Sequence, residues 1–269
     1  MIEDKYANLK KLLTEMGSVA VAYSGGVDSS LLLKVAYDCL GDRAAGITAV
    51  SPSVPAHELA AAQEVARHIG ARHYLIESHE MADERYLANG PDRCYFCKNH
   101  TYEELIPFAQ AHGYQHVVDG NNADDLGDHR PGQKAARERG VRSPLQETGF
   151  TKAEIRALAR QLGLPNWDMP SAACLSSRIP YGTRITVQTL SQVERAELLL
   201  RGWGLRQVRV RHHDQVARIE VPIADFETIL AHREELVREF KALGYTYVTL
   251  DLAGFRSGSM NEALALHGR

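Results

Sequence analysis

The sequence predicts an α/β protein, in which a doubly wound parallel sheet is followed by a smaller C-terminal α+β domain. In the first half of the 269 residues, short apolar runs alternate with amphipathic helical patterns. That alternation is typical of a parallel sheet with helices on both faces. After the stretch LPNWDMPSAACLSSRIPYG, the order changes to helix, strand, strand, helix and strand. We therefore expect two domains, at residues 1–170 and 171–269.

Four apolar runs predict the strands of the first domain. In chain order they are SVAVAYS, AAGITAVS, RHYLIES and HVVDG. Helices are predicted from SSLLLKVAYDCLG, PAHELAAAQEVARHIG, NHTYEELIPFAQAHGY and KAEIRALARQLG. Residues 121–149 are polar and rich in turn residues, which predicts a long loop that is functional or mobile. Because right-handed crossovers bring the loops after parallel strands to one edge, we expect a ligand there.

The second domain is predicted from five patterns of its own. TVQTLSQVERAELLLRGWG predicts a helix, QVRVRHH and QVARIEVP predict two strands, ADFETILAHREELVREFKALG a helix and YTYVTLDL a strand. This αββαβ order favours a small antiparallel sheet covered by helices.

Composition indicates an ordinary soluble protein. Hydrophobic residues make up 44% and charged residues 24%, and the formal net charge is −3. Such a charge does not favour a nucleic-acid partner. The N-terminus, MIEDKYANLKKLL, has no signal architecture, and no apolar run is long enough for a bilayer. We expect a cytoplasmic protein without a membrane partner, whose four cysteines are reduced thiols.

A glycine-serine string lies between the first predicted strand and helix. A Walker loop carries a lysine that reaches the outer phosphates, and this string has none. Its glycines permit close approach to an anion, and the helix start favours negative charge. A carboxylate suits a magnesium ion bound to the phosphates. The string therefore predicts a cradle for a diphosphate leaving group, although a serine-capped turn is the alternative. Its residues are Ser24, Gly25, Gly26, Val27, Asp28, Ser29 and Ser30.

Three cysteines are candidates for chemistry, and Cys39 is interpreted as a core thiol. Cys94 and Cys97 form C-x-x-C, and Cys174 lies near the domain boundary. One interpretation is a zinc site completed by His100. A second has no metal, with Cys174 alone reacting. The third is three thiolates around a 4Fe-4S cluster. The residues alone leave all three open.

The strings SGGVDSS, RCYFCK, DGNNADD, RPG, SPL, KAEIR, LGLP and ACLSSRIPYG, in this order, resemble the LarE family. SGGVDSS by itself resembles the PP-loop of the wider ATP pyrophosphatase superfamily. The LarE resemblance implies a PP-loop fold of the adenine nucleotide α-hydrolase type. It also implies an ATP-dependent sulfur transferase for the nickel-pincer cofactor of lactate racemase.

The implied reaction begins with adenylation of a carboxylate of pyridinium-3,5-dicarboxylate mononucleotide by ATP and Mg²⁺. A sulfur nucleophile then displaces AMP and leaves a thiocarboxylate. The resemblance implies two sources of that sulfur, the sacrificed Cys174 or a sulfide on a 4Fe-4S cluster held by Cys94, Cys97 and Cys174. It also implies a homo-oligomer.

The resemblance implies a role for each matching residue. Ser24 to Ser30 would bind the diphosphate, with Asp28 on Mg²⁺, and Ser51 would line the adenosine pocket. Asn122 and Asp124 would face the reacting phosphate, and Lys98 the substrate. The mononucleotide phosphate would be bound by Ser177, Arg178, Arg209 and Arg211.

Two of these arginines have an independent argument. Arg209 and Arg211 are two residues apart in a predicted strand, so they share one face and can bind one anion together. The alternative is a solvated strand face. Glu194 and Glu197 could bind a metal between subunits, but we interpret them as a charged helix face.

Three other functions fit parts of the sequence. A PP-loop tRNA thiolase also uses three cysteines, but it would favour a basic surface. A regulatory protein could keep the loop without catalysis, although Asp28 and Cys174 argue against that. An amidating synthetase would need a glutaminase segment, which we do not find in the sequence.

Overall fold

The computed structural model describes residues 1–127, 131–170 and 173–256. The chain divides into two compact units. The first consists of Met1–Tyr86 and Pro91–Ala172, and the second of Leu87–Gly90 and Ala173–Arg269. The short return at Leu87–Gly90 is not part of the division predicted at residue 170.

The helices and strands described for the first unit follow the predicted alternation, with an N-terminal helix before it and three additional short helices within it. In chain order they are α1 (Ile2–Met16), β1 (Val19–Ala22), α2 (Val27–Leu40), β2 (Ala44–Val50), α3 (Ala56–Ile69), β3 (Arg72–Glu77), α4 (Glu84–Leu87), α5 (Arg93–Ala111), β4 (His116–Val118), α6 (Pro131–Glu138), α7 (Pro144–Glu147) and α8 (Lys152–Gln161).

The sheet of the first unit is parallel throughout its described strands. The order is β3-β2-β1-β4, and each neighbouring pair runs parallel. Val19 and Val21 of β1 belong to the core formed with α1, α2 and α8, whereas Ala20 packs with Leu105 and Ala109 of α5. Helices therefore cover both faces, and the predicted α/β class is confirmed.

The loop predicted at residues 121–149 is wrong over much of its length. It contains a short 3-10 helix at Ala123–Gly127, and α6 and α7. Pro131 occupies the first position of α6, where its missing N–H costs nothing. Ala136 is buried in a small cluster with Tyr102 of α5. Residues 128–130 of the predicted loop lie outside the described residues.

The second unit contains the predicted αββαβ order with two differences. Its elements are α9 (Val187–Gly202), β5 (Arg209–His213), β6 (Val216–Glu220), α10 (Phe226–Ala231), α11 (Arg233–Ala242) and β7 (Tyr247–Leu250). The fourth pattern forms two helices, which meet at His232; its Nδ1 lies 2.8 Å from the carbonyl oxygen of Thr228.

The purely antiparallel sheet predicted for this unit is also wrong. β5 and β6 are antiparallel, but β7 pairs with β6 in parallel. Helices α10 and α11 form the crossover that a parallel pair needs. In the part of the chain that the structure describes, we find no helix with the length and apolar character of a membrane span.

Candidate active site

The loop between β1 and α2 is held in shape by its own serines. The hydroxyl groups of Ser24 and Ser29 lie 3.2 Å apart, and Ser29 Oγ donates to the Gly26 carbonyl at 3.1 Å. The Gly26 amide donates to Ser24 Oγ at 3.4 Å. These bonds fix the loop at the N-terminus of α2, where free amides and the helix dipole favour an anion.

Two glycines allow close backbone packing around this loop. Gly25 has φ +75°, and a Cβ there would lie 2.5 Å from the Cβ of Ala62. Gly120 follows β4, and a Cβ there would lie 2.9 Å from the amide nitrogen of Ser29. A side chain at either position would displace the backbone that forms the loop.

Asn166 supports the loop through two hydrogen bonds, and it was not predicted from the sequence. Its buried Nδ2 donates to the Gly25 carbonyl at 2.8 Å and to Ser30 Oγ at 2.9 Å. Asn166 lies in the stretch LPNWDMP, which we interpreted only as a domain boundary. The string LGLP, quoted for the resemblance, ends one residue before it and was the available signal.

Asp28 forms an ion pair with Lys152, the first residue of α8. Lys152 Nζ donates to Asp28 Oδ2, and Asn122 Nδ2 donates to Asp28 Oδ1 at 3.4 Å. The side chains of Lys152 and Asp28 are 32% and 22% exposed, so a ligand can reach both. The loop that lacks a Walker lysine therefore has an ammonium group beside it. Lys152 is the first residue of the string KAEIR, but no role for it was predicted from the sequence.

Asp124 links α8 to the loop after β4. Asp124 Oδ2 accepts from the backbone amide of Lys152 at 2.8 Å, and the Asp124 amide donates to Asn122 Oδ1 at 3.0 Å. Asn122 and Asp124, both predicted to bind the nucleotide, thus lie in one network with Asp28. The structure brings these three predicted residues together.

A second network fixes the first turn of α8. Lys5 of α1 donates to both carboxylate oxygens of Glu154, at 2.8 and 2.7 Å, and to the Gly149 carbonyl at 2.7 Å. Thr151 and Glu154 form a capping box at the start of the helix. The hydrogen bonds from Lys5 and Thr151 lower the pKa of Glu154 to about 2.

Lys98 lies beside a buried carboxylate at the end of β4. Burial raises the pKa of Asp119, and the hydrogen bond from Ser143, the Asn121 amide and the charge of Lys98 oppose that rise. Ser143 Oγ donates to Asp119 at 2.7 Å, and Tyr102 OH at 3.2 Å. Lys98 is exposed, so its ammonium group is available to a ligand near this edge of the sheet.

Cys94 and Cys97 lie in the first two turns of α5, three residues apart and thus on one helix face. Cys94 is exposed, and Cys97 and Cys174 are half-buried. Arg93 Nη2 lies 3.8 Å from Cys94 Sγ. Cys94 follows the Gly90–Pro91 junction between the units by four residues, and Cys174 follows the Ala172–Ala173 junction by two. Cys39 packs against the main core, and burial raises its pKa.

His100, the residue that would complete the predicted zinc site, has a carboxylate beside each ring nitrogen. Its Nε2 lies 2.9 Å from Asp83, and its Nδ1 lies 3.4 Å from Glu103, so both ring nitrogens face carboxylates. Within either unit, the described residues contain no group of three His, Cys, Asp or Glu side chains placed to hold a metal.

Arg178 lies entirely inside the second unit, paired with Glu197. Its Nε donates to Glu197 Oε1 at 2.8 Å, and both side chains are at most 1% exposed. Its Nη1 donates to the carbonyls of Ala173 and Cys174, at 2.6 and 3.0 Å, and to Ser177 Oγ at 2.9 Å. Arg178 therefore holds the Cys174 loop in shape. Its predicted phosphate contact stays a prediction.

The interpretation of Glu197 as part of a charged helix face is wrong. The residue is 1% exposed, and its Oε1 accepts from the Val210 amide at 3.0 Å. Burial opposes ionisation, but the Arg178 charge and hydrogen bonds hold the pKa of Glu197 below its ordinary value. The carboxylate is therefore ionised in the interior.

Arg209 and Arg211 are buried at 5% exposure, so a solvated strand face is also wrong. Arg211 Nη2 donates to buried Glu220 at 2.7 Å, and Nη1 donates to the Ser177 carbonyl at 3.0 Å. The Arg209 guanidinium lies over the Phe255 ring at 5.5 Å. The structure thus brings Arg178, Ser177 and Arg211 together.

The chain is similar to a known family and to several known proteins. A family profile described as asparagine synthase matches residues 8–169. An uncharacterized protein of Synechocystis sp. is 50% identical over 266 residues, 98% of this chain and 99% of that protein. The pyridinium-3,5-bisthiocarboxylic acid mononucleotide synthase of Lactiplantibacillus plantarum is 42% identical over 261 residues, 97% of this chain and 95% of that protein.

The chain belongs to the LarE family. This confirms the resemblance found in the sequence, and it makes the chain an ATP-dependent sulfur transferase. A tRNA-specific 2-thiouridylase of Xanthobacter autotrophicus is 28% identical over 193 residues, which cover 57% of this chain and 49% of that protein. The similarity to the mononucleotide synthase, in contrast, extends over nearly the whole chain.

Proposed function

We propose that this LarE protein converts a carboxylate of pyridinium-3,5-dicarboxylate mononucleotide into a thiocarboxylate at the expense of ATP. The carboxylate oxygen attacks the α-phosphorus, the bond to the β-phosphate breaks, and diphosphate leaves. A sulfur nucleophile then attacks the acyl adenylate, and AMP leaves. The observation that supports this most is the ion pair of Lys152 with Asp28 beside the phosphate loop.

That ion pair supports a nucleotide site because its charges suit Mg²⁺ and diphosphate. Bound ATP would bring a cation for Asp28 and an anion for Lys152, so each partner would exchange one opposite charge for another. Mg²⁺, when bound by Asp28, would neutralise charge on the phosphates. Lys152 would stay near the departing diphosphate, since Asp124 and the capped start of α8 hold its backbone.

The buried arginines of the second unit support the proposed phosphate site. Among its described residues, three buried guanidinium groups, of Arg178, Arg209 and Arg211, face two buried carboxylates, of Glu197 and Glu220. Half-buried Arg218 adds a charge on Glu220 at 2.9 Å. Guanidinium groups are donors that bind phosphate bidentately, so this group of arginines suits an anionic ligand. Ser177, whose hydroxyl accepts from Arg178 and donates to the Cys174 carbonyl at 2.8 Å, would donate to that anion in place of the carbonyl.

Three cysteines support the sulfur half of the proposal. Thiolates are the donor set that iron-sulfur clusters take, and Cys94, Cys97 and Cys174 would hold a 4Fe-4S cluster. Such a cluster would supply an iron site for sulfide. The alternative proposal is that Cys174 itself is the nucleophile and loses its sulfur. We further propose a homo-oligomer without a nucleic-acid partner, acting in the cytoplasm.

One experiment tests the reaction and its sulfur source. The protein is purified without oxygen, its iron and visible spectrum are measured, and ATP is added with the pyridinium mononucleotide. We expect AMP, diphosphate and a thiocarboxylate. Iron with an unchanged chain mass supports the cluster, and loss of the elements of hydrogen sulfide supports sacrifice of Cys174. Formation of ADP, or thiolation of tRNA instead, would overturn the proposal.

A further inference from the structure

Four polar side chains lie together at the carboxyl ends of β2 and β3. Ser51 and Ser53 follow β2, and Ser78 and Glu80 follow β3. We call them the Ser51 cluster. Because β2 also pairs in parallel with β1, the cluster lies at the edge of the sheet that carries the phosphate loop. Ligands of doubly wound sheets bind along this edge.

Glu80 sets the direction of the hydrogen bonds in the cluster. It is 1% exposed, and its Oε1 and Oε2 lie 3.1 Å from Ser53 Oγ and 2.5 Å from Ser78 Oγ. Both serine hydroxyls donate to this carboxylate, and a hydroxyl group has one proton to donate. Ser53 and Ser78 therefore both give their single proton to Glu80.

This order determines what Ser51 can offer a ligand. Ser51 Oγ lies 2.9 Å from Ser53 Oγ, whose proton is already committed, so Ser51 must donate in that pair. The Ser53 amide donates to Ser51 Oγ at 3.2 Å, which occupies one of its two lone pairs. Ser53 is 2% exposed and Ser51 is half-buried, so Ser51 is the accessible end. What remains at Ser51 is one acceptor position and no donor.

We propose that Ser51, oriented by Ser53 and Glu80, accepts a hydrogen bond from the adenosine part of ATP and selects for a donor there. The inference rests on the proposed function, and the LarE resemblance implies that Ser51 lines the adenosine pocket. Adenosine offers two kinds of donor, the 6-amino group and the ribose hydroxyls. A nucleotide that has an acceptor, or no polar group, at that position loses the hydrogen bond to Ser51. An acceptor there is also repelled by the free lone pair of Ser51 Oγ.

The test measures equilibrium binding of five nucleotides with Mg²⁺ and without the acceptor substrate. They are ATP, ITP, purine riboside triphosphate, 2′-deoxy-ATP and 3′-deoxy-ATP. If the amino group is the donor, ITP and purine riboside triphosphate bind about tenfold more weakly than ATP. If a ribose hydroxyl is the donor, one deoxy-ATP shows that loss instead. Binding of all five within about threefold overturns this inference alone, and binding of none overturns the proposed function as well.

Two variants separate the oriented hydroxyl from a mere contact. Ser51→Ala is expected to bind ATP about tenfold more weakly and to lose the discrimination. Ser53→Ala frees the Ser51 proton, so Ser51 can also donate to an acceptor on the nucleotide. If the 6-amino group of ATP is the donor in the wild type, this variant should bind ITP more tightly than the wild type does. Ser78→Ala is the matched control, because Ser53 still donates to Glu80 and the discrimination stays. Unchanged discrimination in Ser51→Ala, or equal loss in Ser78→Ala and Ser53→Ala, overturns the inference.

Discussion

Lys152 donates a hydrogen bond from its ammonium group to Asp28, although the two residues are 124 positions apart in the chain. The phosphate loop lacks a lysine of its own, and helix α8 brings one from a later part of the same unit. This relationship gives the loop a cation without the P-loop motif. The two charges are accessible, so a nucleotide with its metal can take each of them as a partner.

The first prediction concerns that lysine. Lys152→Met should lower the second-order rate constant for diphosphate release about 10- to 100-fold, because a hydrogen bond to a charged group contributes about 1.5–3 kcal/mol. Lys134→Met is the matched control, since Lys134 is 72% exposed in a weak ion pair with Glu138. Diphosphate release is measured with ATP varied at saturating acceptor. Equal rate constants for wild type and Lys152→Met would remove Lys152 from the site.

The second prediction is a pH-dependent stabilisation of α8 by Lys5. The pKa of Glu154 is about 2 in the folded protein, against an ordinary value of 4.5. The ion pair of Lys5 with Glu154 therefore stabilises the fold fully above pH 4.5, and this stabilisation is lost as the pH falls toward 2. Lys5→Met should lower the free energy of unfolding by about 1 kcal/mol at pH 7. The difference from wild type should shrink between pH 4.5 and pH 2, as measured by urea unfolding.

The control for Lys5 is another lysine of the same helix. Lys11 is 76% exposed and lies 3.9 Å from Glu15, so Lys11→Met should leave the unfolding free energy unchanged. A loss in Lys5→Met that persisted undiminished at pH 2 would assign the effect to the buried stem of the side chain and not to its charge.

The fold was predictable because its signals are local. The apolar runs of β1 to β4 and the serine-glycine turn lie in consecutive residues, so their order gave the parallel sheet. The mixed sheet of the second unit was not predictable in this way, since the direction of β7 depends on where α10 and α11 place the chain. Helix α6 was missed because the residues it buries are Gln133, Ala135 and Ala136, too few of them apolar for a clear hydrophobic period.

The site was predictable only where a motif names the residue. Asp28, Asn122 and Asp124 follow strands and form one network, as expected for the carboxyl edge of a sheet. Lys152 and Asn166 reach the same loop from outside the strand ends, so only the tertiary structure reveals them. Periodicity also cannot distinguish a buried ion pair from a solvated charge, and Glu197 was misinterpreted for that reason.

The third prediction concerns the buried pair of Arg178 and Glu197. Arg178→Met should cost about 3–5 kcal/mol of stability, since it leaves an ionised carboxylate buried without its partner. Combining it with Glu197→Gln should cost less than the sum of the single changes, because the unpaired charge is gone. Trp203 lies in the second unit, so its fluorescence in a Trp167→Phe background reports unfolding of that unit.

The control for this pair is an exposed arginine of the same unit. Arg233 is 69% exposed and pairs at 3.0 Å with Glu234, which is 86% exposed. Arg233→Met should therefore change the stability of the unit very little. Additive costs of Arg178→Met and Glu197→Gln would mean that the two side chains are not coupled, contrary to the 2.8 Å contact.

The fourth prediction separates backbone conformation from close packing at Gly25. Gly25 and Gly163 have nearly the same φ, +75° and +73°, but an added Cβ meets Ala62 only at Gly25 and has open space at Gly163. Gly163→Ala should therefore cost about 1 kcal/mol from the positive φ alone. Gly25→Ala adds the clash and should cost about 2–4 kcal/mol, with loss of ATP binding. Unfolding is followed by Trp167 fluorescence in a Trp203→Phe background.

Ala62→Gly should restore the stability of Gly25→Ala only in part, because the Cα of residue 62 would still lie 2.8 Å from the new Cβ. Equal costs for the two alanine variants, with ATP binding retained in both, would show that the loop can move away from α3 and that close packing there is not required.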